Sequence, residues 1–511
     1  GCVSTCIEPP HVTDYDCSAC TVTSCADGFE DDNADATDGC EVDLDAIYVD
    51  ASNADDPDED GTSSHPFDRI DEGLAAVSVD HTVIVAAGTY DGGNVVSTPG
   101  VTVRGAGADS VTVGVAEGQT GFEVTASRVA IEGLKVEGGR YGVHFDGSDG
   151  RLSSGTVRDA EVRGQRGTGD EDVAGIRAVG MDDVELEGLV VDDIAGGPGL
   201  DASTGDGGAG GDAAGLRLDD LADCKVADVV ISNVVGGTGG DGWGSIVAGG
   251  RGGLGVGVHA TDVSRCPLAE VLVTDVTGGV GGYGEGSLAA GGTGGTGAGF
   301  YLDGPSGPSI EHAAVLRARG GDGGEGYGSS ASGGDGGVGA GLLVAPGGNA
   351  LLDHATLVEL RGGATGPHGG AGSSPGEDGM GVGVGVLADP SAPSRITHTI
   401  VSRADSHCAW NEETNAAGDL ALSHGLAHGC GGADTLNTDD TAIASGDPEL
   451  IDIAADDVHL TSSSPAIDRG ARTAECSTEP SPNGCRVNIG RYGNTGEAAS
   501  APGASHCAVC P

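Results

Sequence analysis

Pairs of adjacent glycines recur in this chain at a fixed interval. Gly236-Gly237, Gly278-Gly279, Gly320-Gly321 and Gly362-Gly363 are each 42 residues apart, and Gly196-Gly197 lies 40 before the first. Fixed self-similarity at such a period is the mark of a stacked repeat architecture and outranks any local propensity. Each repeat divides into two parts. One is about 20 residues of short apolar runs alternating at period two, as in LEGLVVDDIAGG, VADVVISNVVGG, LAEVLVTDVTGG and IEHAAVLRARGG, which is the pattern of half-buried strands. The other is a glycine-rich insertion. Within the first part, Ile176, Leu216, Val258, Phe300 and Leu342 form one apolar column. Leu189, Val229, Val271 and Ala313 form a second, and Val191, Ile231, Val273 and Val315 a third. Like residues at equal spacing are what stacked coils produce, each about 4.8 Å above the last at the parallel-strand spacing. Such a stack buries a continuous core that no single coil can make. The same grammar runs upstream in HTVIVAAGTY and downstream in RITHTIVSRA, predicting ten to twelve coils between Thr82 and Leu460. Cys224 and Cys266 are 42 apart and fall on adjacent coils, where either a disulfide or an inward thiol stack fits.

The insertions Gly236–Gly257, Gly278–Gly299 and Gly320–Gly341 share one template: nine residues, a four-residue tip (SIVA, SLAA, SSAS), then nine more. Glycine fills two of every three positions. Period three is that of the polyproline-II helix. With no side chain at two positions in three, neighbouring helices can approach closely enough to hydrogen-bond through their backbones. Glycine-rich composition ordinarily signals a flexible linker, but equal lengths, strict phase and matched insertion points predict ordered hairpins stacked beside the coils. The insertions after Gly196 and Gly362 start alike but lose phase, and read as edge members.

"IYVDASNADDPDEDGTSSHPFDRIDEGLAAVSVDHTVIVAAGTY" resembles the opening of bacterial right-handed parallel β-helix proteins, with a strand, an acidic loop, a cap helix and a first coil. Phe67, Ile70, Leu74 and Val77 give that helix one apolar face. "SSSPAIDRG" through "NIGRYGN" is similar to the closing segment of the same family. "CADGFEDDNADATDGCEVDL" is similar to a Cys-bracketed acidic motif in secreted proteins of myxobacteria and related bacteria. The glycine insertions resemble the polyglycine-II sandwiches of phage adhesins and of a glycine-rich insect antifreeze protein. The resemblance implies an all-β fold, a right-handed parallel β-helix solenoid with a polyglycine side lobe and disulfide-rich caps. It says little of function, since the family includes lyases, hydrolases, adhesins and structural proteins. The expected organisation is a Cys-rich acidic segment (1–45), a strand, loop and cap helix (46–80), the β-helix (81–460, with insertions near 196–214, 236–257, 278–299, 320–341 and 362–385) and a Cys-containing C-terminal cap (461–511).

Charge narrows the partners. The formal net charge is −56, and Lys135 and Lys225 are the only lysines. A polyanion would be repelled, so nucleic acid is excluded as an expectation, and an anionic membrane surface with it. No apolar run is long enough to span a bilayer, and the chain reads as a processed product without a signal peptide. The cysteines cluster at the ends: Cys2, Cys6, Cys17, Cys20, Cys25 and Cys40, then Cys408, Cys430, Cys476, Cys485, Cys507 and Cys510. Even numbers at both ends predict disulfides in an oxidising, extracellular compartment; zinc at Cys17-x-x-Cys20 or Cys507-x-x-Cys510 is the lesser reading.

Two acidic loops are candidates for Ca²⁺: Asp31, Asn33, Asp35, Asp38 and Glu41, and Asp50, Asn53, Asp55, Asp56, Asp58 and Asp60. The first is not an EF-hand, because glycine is absent at Ala36 and the glutamate is misplaced. No organic cofactor is expected. Arg177, Arg217, His259 and Tyr301 form an outward column that ends in leucines and lacks paired carboxylates, so it is expected to contact the glycine hairpins rather than to form a lyase or hydrolase centre. Trp243, Tyr283 and Tyr327 stand near the hairpin tips as candidate binding residues. A regular Thr-rich face of the kind an ice binder needs is missing, Thr238, Thr293 and Thr296 being scattered. These features favour a non-enzymatic extracellular structural protein that self-assembles head to tail through its Cys-rich ends into filaments. An adhesin recognising glycan or protein through the lobe is the alternative, and a pectate-lyase-like enzyme the second.

Overall fold

The computed structural model describes residues 46–500, apart from 55, 306, 370–373, 388–392, 412–419, 433–442 and 475, together with four short strands before residue 46. Those strands pair antiparallel, Val12–Asp16 with Thr21–Cys25 and Phe29–Glu30 with Val42–Asp43. From Ala46 onward the chain winds as a right-handed parallel β-helix. One inward column gives the number of levels. It runs Ile47, Val83, Val103, Ile131, Val157, Leu186, Val226, Leu268, Ile310, Leu352, Ile396 and Leu422, each residue in parallel register with the next. The three columns read from the sequence are in register as well, with Ala313 immediately before the paired run that begins at Ala314, and all their members are buried. Their branched and aromatic side chains fill the interior of the stack, with Phe122, Phe145 and Phe300 fully enclosed.

The corners of the coils use residues in the left-handed region. Asp228, Glu270, His312, His354, His398 and His424 occupy one such column, with φ between 46° and 57°. Asp, Asn and His tolerate this conformation better than most residues. Adjacent coils are also joined covalently: Cys224 and Cys266 form a disulfide with Cα atoms 4.5 Å apart, which decides between the two readings of that pair.

Helix α1 (Ile70–Ala76) covers the first coil, as its apolar stripe predicts. Ile70, Leu74 and Val77 are buried and Phe67 packs beside them. Gly73 lies so close to the sheet that a Cβ there would be 2.8 Å from Val49 Cγ2.

The segment expected to cap the far end does more than that. Residues 449–500 turn back along one flank as a strap. Ala466 and Ile489 pack on Ile400 and Leu426, and Val458, Ile453 and Tyr492 pack on Ala314 and Leu316. The sequence gives the strap no period in common with the coils, so its return path was not legible there.

The glycine insertions form an ordered double layer. Within each layer the first glycine of every triplet donates to the same arm of the next hairpin, as in Gly239 N–H to Val280 O (2.8 Å) and Gly281 N–H to Asp322 O (2.9 Å). The second glycine donates across to the other layer. Gly250 N–H bonds to Gly240 O within one hairpin (2.8 Å), and Gly282 N–H to Gly250 O between hairpins (2.7 Å). Among the described residues no arm bonds to itself through its backbone, as expected of polyglycine II. The third residue faces outward, and where the preceding hairpin carries an aspartate at the matching position its N–H is satisfied too: Tyr283 N–H donates to Asp241 Oδ1 (2.9 Å) and Leu254 N–H to Asp212 Oδ1 (2.7 Å). The Gly196 and Gly362 insertions keep the bonding pattern despite their looser sequence, through Gly199 N–H to Thr238 O and Gly366 N–H to Gly334 O. Their loss of phase therefore does not exclude them from the lattice, and Glu171 in the preceding coil extends it by accepting from Gly197.

Candidate functional site

The far end of the lobe gathers the three aromatic candidates. Trp243, Glu285 and Tyr327 occupy matching positions just before the tips and pair in a short parallel sheet. Tyr283 stands two residues earlier on the middle hairpin, and its ring fills the gap that Glu285 leaves in the aromatic column. The centroids of Trp243 and Tyr283 are 6.2 Å apart, and those of Tyr283 and Tyr327 6.3 Å. Burial pushes the Tyr283 hydroxyl pKa up, with the carboxylates of Glu285, Glu325 and Asp241 adding to it. The row is thus a diagonal aromatic strip edged by acids. The tips beside it stack through Leu288 N–H to Ser245 O and Ser330 N–H to Ser287 O. They hold Ile246 and Leu288 in solvent at 76% and 56% exposure.

The outward column on the wall of the helix is built as the sequence indicated: Arg177, Arg217, His259 and Tyr301 are in register. Its charges are internally matched. Arg217 pairs with Asp172 at the foot of the lobe (3.1 Å) and with Asp219 (3.2 Å), and Arg177 approaches Asp219. His259 meets Tyr301 edge-on at 5.1 Å, and burial lowers the pKa of its imidazole. The column therefore fastens the lobe to the wall, since Asp172 and Asp212 belong to the loops entering the lattice.

The acidic candidates fare differently. Asp31, Asn33, Asp35, Asp38 and Glu41 lie outside the described residues, as does Asp55. In the second loop Asp50, Asp56 and Asp60 cap turns, whereas Asp58 contributes its backbone N–H. Asp50 accepts from Ser52 N–H, Asp56 from Asp58 N–H and from His65 Nδ1, and Asp60 from Thr62 N–H and hydroxyl. Asn53 donates to Pro66 O. The carboxylates that do converge are Glu59, at the end of this loop, with Asp68 and Glu72 at the start of α1. Desolvation and the nearby Asp68 and Glu59 push the Glu72 carboxyl up. Sequence spacing did not reveal this trio because its members are joined by the turn through His65. An all-oxygen set of three carboxylates suits a hard cation such as Ca²⁺. Two other groups converge among the described residues but suit a cation less. Glu123, His144 and Asp146 neighbour Arg177, and Asp353, His354 and His398 are engaged with one another and with the strap.

Cys408 and Cys430 are bonded to each other, and Cys25, Cys476 and Cys485 also lie in disulfides. Cys2, Cys6, Cys17, Cys20, Cys40, Cys507 and Cys510 are outside the described residues.

No family model and no curated protein matches the chain. Solved structures do. Pectate lyase Pel9A is similar over 87% of this chain and 95% of its own, at 11% identity and a TM-score of 0.40. The catalytic domain of GH87 alpha-1,3-glucanase in complex with nigerose is similar over 74% and 67%, at 13% identity and 0.36. Dettilon tailspike protein is similar over 80% and 70%, at 12% identity and 0.35. What the strand topology itself establishes is the parallel β-helix fold. Likeness at this level says nothing of what it binds or turns over. No helix among the described residues is long and apolar enough to cross a membrane.

Proposed function

We propose that this β-helix is a non-enzymatic extracellular scaffold that attaches to its partner through the end of the glycine lobe. One observation carries the reading. Of the twelve large apolar side chains exposed on the described surface, six (Leu200, Trp243, Ile246, Val280, Leu288 and Tyr327) belong to the lobe. Isolated exposed apolar residues need no explanation, but a concentration of them on one projecting element marks an interaction surface. The aromatic strip suits stacking on sugar rings, and its acidic edge selects neutral or amino-bearing glycans over acidic ones. The disulfides support an oxidising, extracellular setting. Self-association through the Cys-rich ends remains part of the proposal; non-reducing gels and micrographs of native material containing only monomers would remove it.

The test is a glycan and cell-surface binding panel with wild type and a Trp243→Ser/Tyr283→Ser/Tyr327→Ser variant. Loss of each aromatic contact typically costs about 1 kcal/mol, so binding should weaken at least about tenfold with the fold intact. Equal binding by both proteins would move the contact surface elsewhere. Turnover of a polysaccharide by the wild type would refute the non-enzymatic reading. In the same proposal Glu59, Asp68 and Glu72 hold Ca²⁺ and tie the acidic loop to α1.

A further inference from the structure

The corner column that carries His312, His354, His398 and His424 faces the C-terminal strap. The rings of His312, His354 and His398 stack at 5.2 and 4.5 Å, and His424 lies tilted 5.8 Å from His398. Their nitrogens are committed in a way that fixes protonation. His312 donates its Nδ1–H to Arg491 O on the strap (2.9 Å). His398 Nε2 accepts the N–H of Ala471, also on the strap (3.0 Å), so that nitrogen carries no proton. Its Nδ1–H then donates to Asp353 Oδ1 (2.7 Å). Between them, His354 reaches the same carboxylate with Nδ1 at 3.2 Å, while its Nε2 is buried with no partner. The docked strap thus requires a bare Nε2 on His398, and the neutral ring on His354.

We propose that this histidine column is an acid-release clamp: the strap 449–500 is docked while the column is neutral and lets go when it is protonated. A proton on His398 Nε2 would point at the Ala471 N–H, turning an acceptor into a second donor. A proton on His354 Nε2 would place a charged N–H where nothing can accept it. Cationic neighbours at these ring spacings would also repel one another.

The groups around the column pull in both directions. Asp353 favours the imidazolium, and Glu270, the next member of the column, and Glu497 across the cleft beside His312 act the same way. Arg491 and, behind Gly470, Arg486 oppose it. For His354 burial is the largest influence and lowers its pKa, with His398 and His312 adding to it. The sign follows. At His354 the released strap binds a proton that the docked one refuses, so this contribution to docking is fully present above about pH 6.5 and weakens as the pH falls. Release would uncover the outward apolar side chains Ala314, Leu316, Ile400 and Leu426.

Hydrogen exchange of the intact protein, corrected for the intrinsic pH dependence and with the glycine lobe as internal reference, tests the clamp. One refused proton gives at most about tenfold per pH unit. Protection of residues 485–493 should therefore fall at least about tenfold between pH 8 and pH 5 relative to the lobe. The variant His354→Asn/His398→Asn keeps a residue type that accepts left-handed φ but does not titrate, and its relative protection should change less than about twofold. Undiminished wild-type protection at pH 5, or the same fall in the asparagine variant, overturns the proposal. If the double variant fails to fold, the wild-type comparison of strap with lobe decides alone.

Discussion

A single methyl group placed on Gly282 should open the glycine lobe. The residue has ordinary negative φ, so alanine is compatible with its local conformation, and by lowering the entropy of the unfolded chain it would by itself favour the folded state by about 0.4–1 kcal/mol. Packing reverses this. A Cβ at Gly282 would lie 2.0 Å from Gly240 O, about 1.4 Å short of ordinary contact at 3.4 Å. Gly240 O is itself engaged by Gly250 N–H, and Gly282 N–H and O are both bonded across the layers, at 2.7 and 2.8 Å. Separating the layers far enough to admit the methyl breaks about two of these bonds in a buried position, each costing about 1–3 kcal/mol. Less the entropy gain, the net is about 3 kcal/mol, or about two decades in local opening. Hydrogen exchange of residues 278–299 should report that change, while the exchange of the coil strands stays near wild type. Val280→Ala, at an outward third position of the same arm, should stay within about 0.5 kcal/mol. If Gly282→Ala leaves lobe protection within about threefold of wild type, the interlayer reasoning is wrong.

Two other expectations follow from the staples and the acidic cluster. Alkylation without reductant should leave Cys224 and Cys266 unlabelled. Opening that bridge in a Cys224→Ser/Cys266→Ser variant should cost up to about 4 kcal/mol by loop entropy for a 42-residue closure, read from denaturant midpoints; free thiols in native protein would contradict the bridge. Because the Glu72 carboxyl is pushed up, the folded state holds its proton more tightly, and that contribution is lost as the pH rises through the folded pKa. Glu72→Gln should therefore raise the melting temperature at pH 7 without Ca²⁺ and abolish any rise on adding Ca²⁺; an unchanged Ca²⁺ response would exclude Glu72 as a ligand.

Whatever repeats was legible in the sequence. The columns headed by Ile176, Leu189 and Val191, the neighbourhood of Cys224 and Cys266, and the layering of the glycine hairpins all follow from equal spacing, because a parallel stack puts equal positions above one another. The histidine column is equally readable, one residue before Ala313 in IEHAAVL and in the matching LLDHATLV, RITHTIV and LALSHGL. Only the tertiary structure decided the contacts that break the period. Tyr283 enters the aromatic strip from a diagonal position, Glu59 reaches Asp68 and Glu72 through a turn, and Arg491 meets His312 across 179 residues. Periodic contacts are fixed by a single sequence separation, whereas these depend on side-chain reach and on where a non-repeating segment finds apolar surface left to cover.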